Sequence, residues 1–426
     1  MSGAAGAGGG AGGGAGGSTG GGGSGGDTGG SAPGGGGGSG GSVSVGSGGG
    51  GGAAGTTGAA GRGGCGPTAL ERTFVTQKLF NMTTGEGRAF PVPRANGQRI
   101  AVYRGVSSSG SNRIVASTSP VVDADGGITI TTYNATPLAQ AETFSPADLR
   151  FAGVGEARLA YLSTTVTGYK LRYLEWNGDL AQTPTDLAVG TDSAFTAVPA
   201  IALDASGRAF IAYFANDSSL HLAARSGTGW TVETVMSAFI VPATQISLAV
   251  DAAGQPLIFL TGMGTAGAPG PVGLSVLSKG TGGWSSKSLD TDASDHAPRA
   301  ARAPSGDVMV LFVSQGRLAR AVLRGGSWQL ESPLGGSVGQ AVGDDFDFVV
   351  APGDVVHVAA GDANRVVHLA YNDCVWFKEV VDPDAISSFG FGIALDASSN
   401  PSFAYQKKVT GAAGPTNEIW HAAPQP

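Results

Sequence analysis

The run Pro199-Ala-Ile-Ala-Leu-Asp-Ala-Ser-Gly-Arg-Ala-Phe-Ile-Ala-Tyr-Phe, residues 199–214, decides the fold. It reads as a short apolar strand, the turn Asp-Ala-Ser-Gly, and a second strand that is apolar on both faces. A strand of that second kind suits a sheet packed between two others. Downstream, Ala215-Asn-Asp-Ser is a turn, Leu220-His-Leu-Ala-Ala a third strand, Gly227-Thr-Gly a turn and Trp230-Thr-Val-Glu-Thr-Val a fourth strand. The fourth sets Trp, Val and Val against Thr, Glu and Thr, the alternation of an outer strand.

This unit repeats. With Gly207 as the anchor, counterparts stand at Gly97, Gly155, Gly254, Gly306 and Gly353, with Ser399 in the same place, at spacings of 58, 52, 47, 52, 47 and 46 residues. Six residues after the anchors come Tyr103, Tyr161, Tyr213, Leu260, Phe312, Ala359 and Tyr405. Trp230, Trp284, Trp328 and Trp376 mark the fourth strands. Four-stranded units of about 40 to 50 residues repeated radially are β-propeller blades. The last repeat offers three strands, at Phe391–Leu395, Ser402–Tyr405 and Glu418–His421, and then the chain ends. The segment 70–80 has the pattern of an outer strand without a partner, so it is expected to complete the last blade and remove the open edge. The expectation is an all-β, seven-bladed propeller with four strands per blade, closed by an N-terminal outer strand.

Composition separates what precedes the repeats. Residues 1–66 hold 37 of the 75 Gly and two charges, Asp27 and Arg62. Such a tract has no apolar surface to oppose its ordering entropy, so residues 1–64 are expected to be a disordered tether and residues 65–426 the propeller. A net charge of −7, with no basic cluster larger than Lys407 and Lys408, argues against nucleic acid. The longest apolar runs are strand-sized, far short of the ~18 residues that span a bilayer, so no membrane span is expected. A signal peptide is not visible after Met1, so export would place the true start upstream. Cys65 and Cys374 fall on one face of neighbouring blades and are expected to form a disulfide, which implies an oxidising, extracellular or cell-surface compartment.

The segments 199–213 and Ser226-Gly-Thr-Gly-Trp-Thr-Val-Glu resemble the repeats of bacterial extracellular propellers related to the sialidase (BNR-repeat) and fucose-lectin groups. In the sialidase group the hairpin before the last strand carries an Asp box. Here Ser226-Gly-Thr-Gly-Trp, Gly280-Thr-Gly-Gly-Trp and Arg324-Gly-Gly-Ser-Trp keep Gly and Trp and lack the Asp. The Gly-rich tract is similar to the tether of bacterial surface lipoproteins, although the lipidated Cys that precedes such a tether is absent.

Sialidase chemistry needs three convergent Arg, and only Arg150 and Arg299 fall on first strands, three blades apart. His221, His368 and His421 occupy one place in third strands of different blades, which reads as structural. Asp204, Asp251 and Asp396 precede the anchor turn and read as Asx-turn caps. The connections between blades carry Asp148, Asp192, Asp290 with Asp292 and Asp295, Asp344 with Asp345, and Asp382 with Asp384. Together with two long loops, 262–273 and 406–417, these form an acidic rim that could hold calcium or accept hydrogen bonds from sugar hydroxyls. Turn capping is the alternative reading of the same carboxylates. The candidate binding residues are therefore Asp148, Asp192, Asp292, Asp345, Asp384, Arg150 and Arg299, with no cofactor required. The functional expectation is a non-catalytic, monomeric binding propeller for a glycan or a surface protein; a degenerate glycosidase or lyase, or a purely structural scaffold, stands beside it.

Overall fold

The computed structural model describes residues 72–82, 88–93, 99–106, 112–118, 135–140, 147–153, 156–165, 168–177, 185–194, 199–217, 219–237, 245–261, 273–331, 345–362, 365–372, 376–384, 388–411 and 414–425. The expected tether, residues 1–64, and both cysteines, Cys65 and Cys374, lie outside them.

The first strand, β1 (Phe74–Met82), has no partner nearby in the sequence. Sheets of four consecutive antiparallel strands follow. The first holds β2 (Ala89–Pro93), β3 (Arg99–Val106), β4 (Asn112–Thr118) and β5 (Ala135–Gln140); the second holds β6 (Ala147–Gly153), β7 (Glu156–Thr165), β8 (Gly168–Trp176) and β9 (Thr185–Ala194). Then come β10 (Ala200–Leu203), β11 (Ala209–Phe214), β12 (Leu220–Ser226) and β13 (Gly229–Met236), and after them β14 (Ile246–Val250), β15 (Pro256–Thr261), β16 (Leu274–Gly280) and β17 (Gly283–Ser288). Two more follow: β18 (His296–Arg302), β19 (Val308–Ser314), β20 (Arg317–Arg324) and β21 (Ser327–Glu331), then β22 (Phe346–Ala351), β23 (Val355–Asp362), β24 (Arg365–Tyr371) and β25 (Trp376–Asp382). The chain closes with β26 (Ser388–Leu395), β27 (Pro401–Gly411) and β28 (Gly414–Pro424), and β1 completes their sheet in the order β1-β28-β27-β26.

The expected ring of seven like blades is corrected by this arrangement. The structure has six blades of four consecutive strands, and the remaining sheet is a composite of both chain ends built on an 11-residue hairpin, β27 and β28. Innermost strands pack side by side in the order β6, β10, β14, β18, β22, β26, β2, which makes six seams. Among the described residues no comparable packing joins β2–β5 to β6–β9. The expected 406–417 loop is also absent as such. Its residues extend β27 and β28, pairing from Gln406 with Ile419 to Gly411 with Gly414, because Gln406 and Lys407 bury their side chains in the sheet instead of entering solvent.

Burial follows the pattern of the repeat. Second strands β11, β15 and β19 are buried along their whole length, whereas β13 alternates and is largely accessible. Apolar layers fill the seams, such as Phe210, Phe214 and Leu222 against Leu248, Ile258 and Leu260. The Trp series belongs to these layers: Trp230 meets Tyr173 of the preceding blade edge to face at 5.0 Å, and Trp328 meets Phe259 at 5.7 Å. The anchor turns are Asx turns, with Asp204, Asp251 and Asp396 each accepting two backbone N–H groups at 2.8–3.0 Å. Gly207 and Gly254 take φ of 78° and 77°, and Ser399 holds the same left-handed place at 62°.

The start of β1 is tied to a second sheet. The Arg72 N–H donates to Glu379 Oε1 at 3.0 Å, Glu379 Oε2 meets His368 Nδ1 at 2.7 Å, and His368 Nε2 meets His357 Nδ1 at 2.9 Å. Phe74 and Phe403 close over the His368 ring edge to face. Burial, then the neighbouring His368 and Arg72, push the His357 imidazole down to about 3, and burial outweighs Glu379 in lowering His368. Both rings are therefore neutral when folded and take up protons on unfolding. Their contribution is complete above the ordinary histidine pKa of about 6.5 and is lost as pH falls from there toward about 3. Urea unfolding between pH 4 and 7 should show stability rising with pH. A His357→Gln variant should show a flatter rise, and an unchanged slope would refute the role of the pair.

Candidate functional site

The residues of the expected acidic rim are described in part. Arg150 lies on the first strand β6, opposite Arg158, as expected; Asp148, on β6 opposite Ala160, and Asp192, on β9, take strand positions in place of the expected connections. Asp292 accepts from Ser294 N (2.8 Å), Ser294 Oγ (2.7 Å) and Gln315 Nε2 (2.6 Å), bonds that hold its carboxyl below the usual range. Asp345 accepts from Gly390 N and pairs with Arg88 at 3.6 Å, across the composite sheet. The Asp384 N–H donates to Asp382, whose Oδ2 holds Tyr405 OH and Lys407 Nζ, both at 2.5 Å. Arg299 sits on β18 opposite Leu311 and donates to the Pro298 carbonyl at 2.9 Å. The Asp292, Asp345 and Asp382 carboxylates are thus engaged where they stand. Among the described residues no group of three or more His, Cys, Asp or Glu is disposed to hold a metal ion.

Asp295 is different. It is 5% exposed, its Oδ2 accepts the Leu274 N–H at 3.1 Å, and its Oδ1 has no hydrogen-bond partner. Burial, reinforced by Asp290 and Asp292, pushes its carboxyl up to about 6. The native state thus holds this proton more tightly than the unfolded chain does. The stabilisation is full below the ordinary carboxyl pKa of about 4 and is lost as pH rises through about 6.

Among the described residues, a concave feature with convergent polar groups lies at the seam between β10–β13 and β14–β17. It is a groove of about 400 Å³ lined by Arg208, Phe210, Glu233, Gln255 and Lys279, among others, a size in the range of small-molecule sites of roughly 300–1,000 Å³. Register explains its walls. Phe210 stands opposite Ala224 and Ala224 opposite Thr231, while Leu222 stands opposite Glu233, so their side chains share the face turned to the next blade. From that blade the Asp251–Gln255 turn brings Gly254 and Gln255, and β16 brings Lys279. Since the strands alternate in direction, these turns mark the end of the blades opposite the connections that carry the acidic residues.

Two charged contacts shape the groove. The Arg208 guanidinium carbon lies 4.6 Å from the centroid of the Phe210 ring, over its face. Lys279 Nζ pairs with Glu233 Oε2 from the neighbouring blade, which bridges the seam. Phe210, Leu222 and Pro256 are buried and form an apolar floor, while Arg208 and Gln255 are exposed. These residues escaped the sequence reading, but a signal was available. The position after the anchor reads Gln98, Glu156, Arg208, Gln255, Asp307, Asp354 and Asn400, so the cation occurs in one repeat alone.

No family model matches the chain, and no curated protein does. Among solved structures it is similar to an ulvan lyase, a polysaccharide lyase, at 10% identity and a TM-score of 0.53, covering 80% of this chain and 94% of that one. It is also similar to the fucose-specific lectin from Aleuria aurantia (12% identity, TM-score 0.45, 73% and 99% covered) and to a Hadza microbial sialidase (12%, 0.42, 73% and 73%). At these identities the likeness is one of fold, an all-β propeller of four-stranded blades.

The buried carboxyl gives a direct test of local electrostatics. Asp295→Asn should stabilise the protein at pH 7.5 and lose that advantage at pH 4, as read from melting temperatures. Equal shifts at both pH values would show that Asp295 is not held protonated.

Proposed function

We propose that the chain is a non-catalytic extracellular or cell-surface propeller that binds a glycan in the groove between β10–β13 and β14–β17. The observation that carries this reading is the groove's singularity: an exposed guanidinium, an interblade ion pair and an apolar floor, placed where the repeat breaks its own pattern. A structural role recurs from blade to blade, as the Trp series does, whereas a ligand asks for one arrangement. Sugars present C–H faces and hydroxyl groups together, which suits Phe210, Leu222 and Pro256 beside Gln255 and Arg208. The groove is a poor hydrolase site. Most glycoside hydrolases flank the scissile bond with two carboxyl groups, and Glu233 is the one carboxylate in the lining and is paired with Lys279. In this reading residues 1–64 tether the propeller to a surface.

No helix of the described residues is long and apolar enough to cross a membrane. A second reading, a degenerate glycosidase or lyase, is favoured by one observation: Asp295, a buried carboxyl whose Oδ1 has no hydrogen-bond partner, lies four residues before Arg299, and burial pushes it up in the direction a general acid needs.

A glycan array with the full chain should show binding that is lost in Thr231→Trp, an exposed substitution that fills the groove wall, at an unchanged melting temperature. Binding that survives the substitution would move the site to the other end of the blades. A blank array would favour a scaffold, and release of reducing ends that disappears in Asp295→Asn would favour the enzyme.

A further inference from the structure

We infer that this groove takes an acidic saccharide whose carboxylate or sulfate ester is held by Arg208. The inference rests on the glycan reading above and adds the chemical class of the ligand. It follows from an inventory of donors and acceptors. The acceptor with the strongest charge, the Glu233 carboxylate, is already engaged by Lys279. The nearby Asp204 carboxylate is engaged by Ser206 N, Ser206 Oγ and Arg208 N in its own turn. The Arg208 guanidinium has no acceptor among the described residues, and its polar edge is left open because the group lies over the Phe210 ring.

The contact with the Phe210 ring matters here because it holds the guanidinium carbon at the groove wall. A planar fork presents parallel N–H donors, which match the two oxygens of a carboxylate or of a sulfate ester. The lining carries two cations, Arg208 and Lys279, against one anion, Glu233, and so holds a formal charge of +1 on a chain of −7. The acceptors in the lining, the Ser226 and Thr231 hydroxyls and the Gln255 carbonyl, are neutral and suit sugar hydroxyls, whereas the exposed guanidinium is the cationic donor suited to an anionic group. A bare anion would need no apolar floor, and Phe210, Leu222 and Pro256 provide one.

The test is a calorimetric or NMR titration of the full chain with four probes: methyl glucuronoside, glucose 6-sulfate, methyl glucoside and sodium sulfate. One or both acidic sugars should bind at least about tenfold more tightly than methyl glucoside, a margin of about 1.4 kcal/mol. Whichever acidic probe binds names the carboxylate or the sulfate as the group held. Arg208→Gln should abolish the margin at an unchanged melting temperature, and Arg208→Lys should restore part of it, since charge returns without the fork. Equal affinity for neutral and acidic sugars would overturn the acidic class and leave the glycan reading intact. Sodium sulfate binding as tightly as glucose 6-sulfate would reduce the groove to an anion site, and no binding by any sugar probe would remove both readings together.

Discussion

β1 and β28 pair from Phe74 with Pro424 to Met82 with Asn417, so the two ends of the chain share one backbone ladder. A strand edge left open exposes a row of unpaired N–H and C=O groups, and the other sheets have no spare strand to cover it. β26–β28 would end in such an edge without β1. The composite sheet also packs on both sides, β26 against β22 and against β2, which makes it the piece through which the first and last sequential blades meet. Its face toward β22–β25 is apolar in the middle, with Phe74, Phe403 and Tyr405, and polar at its margins. There Lys407 reaches Asp382 and lies 3.9 Å from the Trp420 ring, and Arg72 reaches the Glu379–His368–His357 chain. Buried polar groups cost least when paired, and the seam pairs the Arg72 N–H, His357, His368 and Lys407 across strands that are far apart in sequence.

Once the sheets are held in place, the seams between them become the sites of variation. Each seam is an apolar layer whose inner part is fully occupied by residues such as Phe214 and Leu260. Toward the turn end the layer thins, and the residue after the anchor decides what fills the space. Where that residue is Asp307, it pairs with Arg324 of its own blade at 2.7 Å. Where it is Arg208, the side chain stacks on Phe210 and leaves a groove that Lys279 and Glu233 bridge. Function is thus placed at the margin of a packed layer, where one substitution changes the chemistry of the surface and leaves the packing intact.

Much of the fold was legible because burial on both faces writes itself into composition. The run Ala209–Phe214 has no polar residue and became a central strand; the alternation after Trp230 became an outer one. The pairing of 70–80 with the chain's end was legible by the same arithmetic of unpaired strands, and β1 runs over Phe74–Met82. Residues 406–417 resemble a loop in sequence because Gln, Lys, Lys and Thr look solvated, yet Lys407 is buried by an ion pair that no local pattern announces. His357 drew no notice for a similar reason: its partner, His368, stands on the next strand. The acidic residues are ambiguous because Asp serves turns and sites with the same atoms, and Asp292 and Asp382 do the former. Arg208 is visible as the odd residue in the column that follows the anchor, a column that carries no repeating signal of its own.

The dependence of the whole on β1 can be measured by removing that strand. A chain starting at residue 84, compared with the full chain, should lose its cooperative thermal transition by circular dichroism and run as aggregate in size-exclusion chromatography. A sharp transition near the full chain's melting temperature, in a species of monomer size, would contradict the claim that the pairing of the two chain ends holds the propeller together.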